Sequence, residues 1–196
     1  MYQNFVSFSK EESKTFLGVL LQNSSKLKKL VHNLLEIAKN HQGKNCYCFE
    51  KRNIVDLIYD SISEFAIMAK ISFSTKYKKI TCNIDTVKIG QVMRNLLDNA
   101  IKYGDGKPIV LELNKSQSEQ SITIQIRNSG ISMLEKEHKK VFEPFFRGSN
   151  TKSIPGGCGL GLTICKEIIT AHRGRIWMDK ETLGITSVNF TIPYIE

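Results

Sequence analysis

Residues 91–104, QVMRNLLDNAIKYG, are the stretch that decides the fold and the chemistry predicted for this sequence. At about 100° per residue, Asn95, Asn99 and Lys102 fall on one stripe of a helix, and the apolar residues fall on the other side. Asparagine is a weak helix former, so two of them one turn apart inside a helix indicate a functional requirement. Amide oxygens suit Mg²⁺, and a lysine one turn further can meet phosphate oxygens. The stretch therefore predicts a helix that binds a magnesium nucleotide, with a solvated polar face as the alternative.

The elements around this helix predict an α+β fold. Asp85 or Thr86 begins the helix, Asn53 begins another that runs to about residue 70, a short one ends near residue 142, and a last one spans about residues 160–172. Alternating apolar residues predict strands at residues 80–84, 109–113, 122–126, 175–178 and 187–192. We expect a two-layer α/β sandwich, with a mixed, mostly antiparallel sheet and helices on one face.

Residues 11–40 predict a long amphipathic helix, since they include one glycine and no proline and their apolar residues recur at spacings of three, four and seven. The apolar seam is narrow, which favours packing against a partner helix over packing on the chain's own globular domain. Gly43 lies near the C-terminal cap. We therefore expect a stalk-like helix within residues 1–44 and a globular unit over residues 45–196.

Composition limits the classes of protein to consider. The chain has 196 residues, enough for one full-sized core with an extension. Its net charge is +9, which raises the question of a polyanionic partner. Its lysines lie in three separate groups without interleaved aromatic residues, which favours a solvated basic surface over a nucleic-acid site. No apolar stretch reaches the length of a membrane span, and the five cysteines do not have zinc-site spacing. We expect reduced thiols in a cytoplasmic protein.

Residues 91–104 resemble the asparagine box of sensor histidine kinases, which belong to the GHKL superfamily of ATPases and kinases. Three more boxes of that family follow in order. Residues 128–133 (NSGISM) resemble the first glycine box, residues 141–147 (VFEPFFR) the phenylalanine box and residues 157–162 (GCGLGL) the second glycine box. The resemblance covers nearly all of residues 51–193, and residues 11–44 resemble the second helix of the dimerisation stalk. It implies a catalytic domain of GHKL fold that binds Mg-ATP and transfers the γ-phosphoryl group to a stalk histidine.

The resemblance also implies a role for each site residue. Asn99 should ligate the Mg²⁺, with Asn95 supporting it directly or through water, while Lys102 and Arg147 neutralise phosphate charge. These four are the expected catalytic residues, and Tyr103 should close over the adenine or ribose. The other expected nucleotide-binding residues are Asn128, Gly130, Met133, Phe142, Gly157, Gly159, Leu160, Gly161, Leu162 and Thr186.

Four positions depart from the family pattern. Asn128 stands where the family usually has an aspartate that accepts a hydrogen bond from the adenine amino group, and Ser132 replaces a second glycine. Asn128 keeps an acceptor oxygen but loses charge assistance, so we expect weaker ATP affinity than in a typical member. Cys158 replaces a Ser or Thr and Ile185 a glycine, and neither change should abolish binding.

None of the four histidines, His32, His41, His138 and His172, lies in the family's acceptor pattern of His, an acidic residue, Leu, Arg and Pro. We therefore expect the acceptor helix to precede Met1, which makes the chain a fragment that does not phosphorylate itself. The expected partners are the stalk helix that bears the acceptor histidine, a cognate response regulator and a second copy joined through the stalk. No nucleic acid is expected, and a membrane only through N-terminal segments.

Three rival functions stay open. Water-splitting members of the superfamily place a glutamate four residues before the Mg-binding asparagine, where this chain has Asn95, and Asp98 should point about 100° away from Asn99. A kinase is therefore favoured over an ATPase. A nucleotide-binding regulatory module or pseudokinase fits Asn128 and the missing acceptor. A DNA-binding module would need a recognition helix or an aromatic-basic stripe, and the sequence shows neither.

Overall fold

The computed structural model describes residues 9–41, 46–151, 154, 157–179 and 184–195. Four α-helices and seven strands form this part of the chain. In chain order they are α1 (Lys10–His41), β1 (Glu50–Asn53), α2 (Ile54–Ser63), β2 (Ile71–Ser74), β3 (Thr81–Ile84), α3 (Thr86–Tyr103), β4 (Ile109–Ser116), β5 (Ser121–Ser129), α4 (Gly161–Ala171), β6 (Ile176–Met178) and β7 (Ile185–Ile195). Three short 3₁₀ helices lie between β5 and α4, at Glu135–Glu137, Lys140–Phe142 and Ser149–Thr151.

The strands form one mixed sheet in the order β1-β3-β7-β5-β4-β2, and β6 also pairs with β7. The pair β2 and β4 is parallel, and the other pairs are antiparallel. Helix α3 packs on α2 and α4 and contacts β5. The expected α+β sandwich with a mostly antiparallel sheet is confirmed.

Helix α3 is the centre of the core. Asp85 caps its start by accepting a hydrogen bond from the Lys88 N–H, 3.0 Å away, and Gly104 ends it. Its apolar side is buried with Met93 and Leu97, which are 0% exposed, among the strand residues of the same core. This burial leaves the polar stripe predicted for residues 95–102 on the side away from the core.

His172 joins the end of α4 to the start of α3. The imidazole is buried, with Nδ1 2.7 Å from the Ile168 carbonyl oxygen, and its Nε2 accepts a hydrogen bond from the Asp85 N–H at 3.0 Å. These two contacts require the neutral tautomer with its proton on Nδ1. Burial lowers the pKa of His172, which favours this neutral form. The neutral ring therefore links the two helices through its two hydrogen bonds.

Three elements differ from the sequence-based prediction, and the first is β1 (Glu50–Asn53), which lies where no strand was predicted. Helix α2 ends at Ser63, well before residue 70, and the chain then forms the strand β2, which was not predicted. Ile71 and Phe73 do alternate with serines, but a four-residue run is too short to identify a strand. Parallel pairing of Ile71 with Ile109 and of Phe73 with Leu111 fixes it, and that pairing is a tertiary contact.

Helix α1 packs on the globular unit only near its C-terminal end, where Ile37 joins the main core and α1 contacts α4. Further towards its N-terminus the apolar seam is exposed, with Phe16 at 53%, Leu20 at 48% and Leu27 at 62%. The boundary predicted after residue 44 lies outside the described residues and stays a prediction. Within the described residues, no helix is both long and apolar enough to cross a bilayer.

Candidate functional site

Two adjoining cavities lie beside α3. One is a narrow apolar pocket between α3 and the strands β5 and β7, and the other is a wider cleft of about 810 Å³ between α3, the start of α4 and the residues after β5. The cleft volume is in the usual range of small-molecule sites. Five residues line both cavities, namely Asn99, Tyr103, Met133, Thr151 and Leu162. The two cavities therefore form one site with an apolar end and a polar end.

The apolar pocket carries Asn128 and Thr186, which face each other in the register of β5 and β7. The Asn128 side chain is buried, and its Nδ2 donates a hydrogen bond to the Ser129 carbonyl oxygen at 3.2 Å. The Thr186 hydroxyl donates to the Ile131 carbonyl oxygen at 3.3 Å. Because the amide nitrogen of Asn128 is used within the protein, its oxygen is the atom left to accept a hydrogen bond. A flat apolar ring with an amino group, such as adenine, fits this lining.

The polar stripe of α3 lies along the wider cleft. Asn95, Asn99 and Lys102 all line it, and in the described part of the chain the Asn99 carboxamide makes no hydrogen bond. Asn95 donates a hydrogen bond from Nδ2 to the Gly161 carbonyl oxygen at 3.4 Å, which joins α3 to the first residue of α4. Asp98 lines the cleft as well, and the expectation that its side chain points about 100° away from Asn99 stays a prediction. The unengaged amide oxygen of Asn99 is a hard neutral donor, and the donor set fits Mg²⁺.

Positive charge and exposed backbone amides meet at the far end of this cleft. The Lys102 ammonium lies 4.9 Å from the centre of the Tyr103 ring and would lie 2.7 Å from a Cβ placed at Gly157. Gly157 has φ +140°, so it supplies both the close approach and a backbone conformation that other residues rarely adopt. Helix α4 begins at Gly161 without a side-chain cap, which leaves its first N–H groups for an anion.

Arg147 lines the cleft at the base of the loop that precedes Gly157. Its Nη2 donates to the Thr151 and Ile154 carbonyl oxygens at 2.6 and 2.7 Å, and its buried Nε has no partner within the described ranges. Beside it, Glu137 accepts hydrogen bonds from the Ser149 hydroxyl and N–H, which lower the pKa of that carboxyl. Arg147 thus holds the loop while its charge stays in the cleft.

A backbone hydrogen bond closes the base of the same loop. The Phe145 N–H donates to the Gly159 carbonyl oxygen at 3.0 Å, so the phenylalanine box and the second glycine box meet there. Arg147 and the glycines that line the cleft consequently have a fixed spacing at this point.

Twelve of the fifteen residues predicted for the site line one of the two cavities, and three do not. Phe142 packs with Val141 and Met178 in a small apolar cluster behind the cleft, and Leu160 is fully buried in the main core. Gly130 forms a backbone bridge with Gly104, where a Cβ would lie 2.3 Å from the Tyr103 carbonyl oxygen. These three residues support the walls of the site.

The structure adds residues that the sequence did not indicate. Ile131, Thr151, Met178 and Val188 also line the apolar pocket; Ile131 lies within the first glycine box, and no local pattern marks the other three as site residues. Leu30 and Asn33 of α1 line the cleft, and no local pattern marks a stalk residue as part of this site.

Comparison with known proteins agrees with this geometry. Residues 84–196 match the family described as histidine kinase-, DNA gyrase B-, and HSP90-like ATPase. Sensor histidine kinase WalK of Bacillus subtilis is 30% identical over 194 residues, which are 96% of this chain and 32% of that protein. Sensor protein kinase WalK of Staphylococcus epidermidis is 30% identical over 189 residues, 94% of this chain and 31% of that protein. The chain therefore spans about a third of the length of these relatives.

Solved histidine kinases share the fold. The catalytic domain of histidine kinase ThkA has a TM-score of 0.63 at 27% identity, covering 74% of this chain and 95% of that chain. Full-length ShkA in complex with AMPPNP has a TM-score of 0.81 at 18% identity, covering 96% of this chain and 40% of that one. ThkA in complex with the response regulator TrrA has a TM-score of 0.75 at 24% identity, covering 96% and 53%. Because the family match spans more than half of the sequence, the chain belongs to the family of histidine kinase-, DNA gyrase B- and HSP90-like ATPases.

Proposed function

We propose that this chain is the catalytic ATP-binding part of a sensor histidine kinase, which binds Mg-ATP and transfers the γ-phosphoryl group to a histidine on a stalk helix. One observation supports this above the others. Asn99, whose carboxamide makes no hydrogen bond to any described residue, lies where the apolar pocket opens into the polar cleft. A nucleotide that extends from the pocket into the cleft would pass this side chain between its base and its terminal phosphate.

The residues of the site would divide the work by position. Asn128 would accept a hydrogen bond from the adenine amino group, and Asn99 would hold Mg²⁺ with support from Asn95. Lys102, Arg147 and the uncapped start of α4 would stabilise phosphate charge, the largest contribution to phosphoryl transfer. Mg²⁺ would supply further neutralisation of the phosphates. The remaining predicted residues would shape the walls and set the approach of the backbone.

Asn95 favours transfer of the γ-phosphoryl group to a protein over its transfer to water. A water-splitting member needs a carboxylate there, and the Asn95 amide is instead bonded to the start of α4. Asp98 is a carboxylate in the same cleft, so ATP hydrolysis is the second candidate reaction. Binding without transfer, as in a regulatory module, is the third.

The proposed partners follow from the relatives. We propose that a response regulator receives the phosphoryl group, since ThkA is solved with one. A homodimer through the stalk would cover the apolar seam of α1, which is exposed at Phe16, Leu20 and Leu27. The acceptor histidine would come from the partner helix of the stalk.

Two measurements test the proposal. First, calorimetric titration with Mg-ATP should show binding that Asn99→Ala abolishes, while substitution of the exposed Val87 on the same helix should leave it unchanged. Second, a stalk helix with an acceptor histidine, taken from a WalK relative and supplied in trans with radiolabelled ATP, should gain an acid-labile phosphate. Release of free phosphate that Asp98→Asn abolishes, without labelling of the helix, would identify an ATPase. Tight binding with neither product would identify a regulatory module, and no binding would refute the proposal.

A further inference from the structure

Asn33 is a buried polar side chain on α1 that faces the nucleotide cleft. It is 8% exposed and lines the cleft together with Leu30. A carboxamide carries two N–H donor positions and one acceptor oxygen, so a mostly buried one that borders a cleft can contact a ligand there. Asn33 is therefore placed to contact a ligand that enters the cleft.

The neighbouring turn of α1 fixes where Asn33 lies along α3. Glu36 accepts hydrogen bonds from the Lys88 ammonium at 2.5 Å and from the Gln91 amide nitrogen at 2.8 Å. Asn33 lies three residues earlier, about 4.5 Å along the helix axis, and Asn95 lies four residues after Gln91, about 6 Å along its own axis. Since Leu30 and Asn33 share the cleft with Asn95 and later residues of α3, the two helices run in opposite directions. Asn33 is therefore level with Asn95.

Asn95 marks the phosphate end of the site. Its amide is bonded to Gly161, where α4 begins with uncapped N–H groups, and Lys102 lines the same cleft. An amide N–H group aimed at this end can donate to a phosphate oxygen, and hydrogen bonds to charged groups are the stronger kind.

We propose that Asn33 is a nucleotide-binding residue, whose carboxamide donates a hydrogen bond to the phosphate chain of bound ATP. This inference rests on the proposed function. The stalk helix then forms one wall of the site, so ATP binding and the docking of α1 on α3 favour each other, because linkage between two such equilibria is reciprocal.

The test compares two leucine substitutions on adjacent residues of α1 in the whole chain. Asn33→Leu removes the amide but keeps the volume, and His32→Leu is the matched control at an exposed position. Calorimetry with Mg-ATP should show affinity about tenfold weaker for Asn33→Leu, the usual effect of losing one hydrogen bond to a charged group. Adenosine, which has no phosphate, should bind equally to all three proteins in ligand-observed NMR, and His32→Leu should bind ATP as the unmodified chain does.

The two ligands separate a phosphate contact from a structural role. ATP affinity of Asn33→Leu within twofold of the unmodified chain would overturn the inference, and so would an equal loss for ATP and adenosine. If the unmodified chain bound neither ligand, the proposed function would fail and this inference with it. A melting temperature of the ligand-free Asn33→Leu protein that is not lowered would further support the assignment, because a loss of ATP affinity could then not come from a destabilised fold.

Discussion

Replacing Glu36 by leucine should weaken the docking of α1 on α3 and so lower the free energy of unfolding of the chain. The carboxylate is only 6% exposed and contacts two side chains of α3, the Lys88 ammonium at 2.5 Å and the Gln91 amide nitrogen at 2.8 Å. Lys88 itself is 23% exposed. Leucine keeps the helix propensity and the approximate volume, so the change removes the charge and its hydrogen bonds with little effect on the local backbone.

The magnitude follows from this burial. Breaking a buried ion pair by removing one partner costs about 3–5 kcal/mol, because the other charge stays behind unpaired. Because the Lys88 side chain is 23% exposed, its ammonium can turn towards water after the substitution. We therefore expect a loss of unfolding free energy at the lower end of this range, about 3 kcal/mol. With an unfolding entropy of about 2.1 cal/mol/K per residue over 196 residues, this corresponds to a fall in Tm of about 7 °C.

A double-mutant cycle with Lys88→Met is the decisive assay. Methionine removes the ammonium and keeps an apolar stem, so the double variant leaves neither charge unpaired. In urea unfolding, its loss of unfolding free energy should be about 1.5 kcal/mol smaller than the sum of the losses of the two single variants. Arg52→Met and Glu50→Leu break an ion pair at 2.9 Å that is largely exposed on both sides, and this pair is the control with little expected coupling. Single costs at Glu36 and Lys88 that add within about 0.5 kcal/mol would refute the reasoning.

Three further predictions concern the catalytic domain. Asn128→Asp should strengthen ATP binding in calorimetry, because a carboxylate adds charge assistance to the hydrogen bond from the adenine amino group; unchanged affinity would remove this role. Burial lowers the pKa of His172, so its contribution to stability should be full above about pH 6.5 and be lost as the pH falls towards the folded-state value. The free energy of unfolding should therefore fall on acidification, and less steeply in His172→Gln. Gly130→Ala, whose Cβ would lie 2.3 Å from the Tyr103 carbonyl oxygen, should cost on the order of 3 kcal/mol in urea unfolding. Gly106→Ala also has a positive φ but no atom within 4 Å of its Cβ, so a cost of about 1 kcal/mol is expected, and equal costs would contradict the steric explanation.

The central helix and its neighbours could be predicted because their signals are local. The stripe at Asn95, Asn99 and Lys102 follows from helical geometry alone, and Asp85 is a side-chain cap that precedes an amphipathic run. The helix and strand patterns predicted the fold class, and the order of the four boxes indicated the family. Local pattern therefore located the residues that line the cleft from α3.

The parts that could not be predicted depend on distant contacts. The strand β2 forms because Ile71 pairs with Ile109, which lies 38 residues further along the chain. Phe142 is apolar in sequence, and only packing decides whether such a residue lines a cavity or lies behind it. Asn33 is one of several polar residues on α1, and its burial follows from how α1 docks, which the pattern of α1 does not contain.

The hydrogen bond between the Phe145 N–H and the Gly159 carbonyl oxygen has a consequence for how this domain can change over evolution. It brings both ends of the intervening segment to one point on the scaffold, so the segment can be shortened, lengthened or exchanged at a small entropic cost and without disturbing the sheet. Replacing the part of that segment between Arg147 and Gly157 would change one wall of the cleft while keeping both ends of the segment in place. The domain thus combines a fixed base with a segment whose length and composition can be varied by grafting.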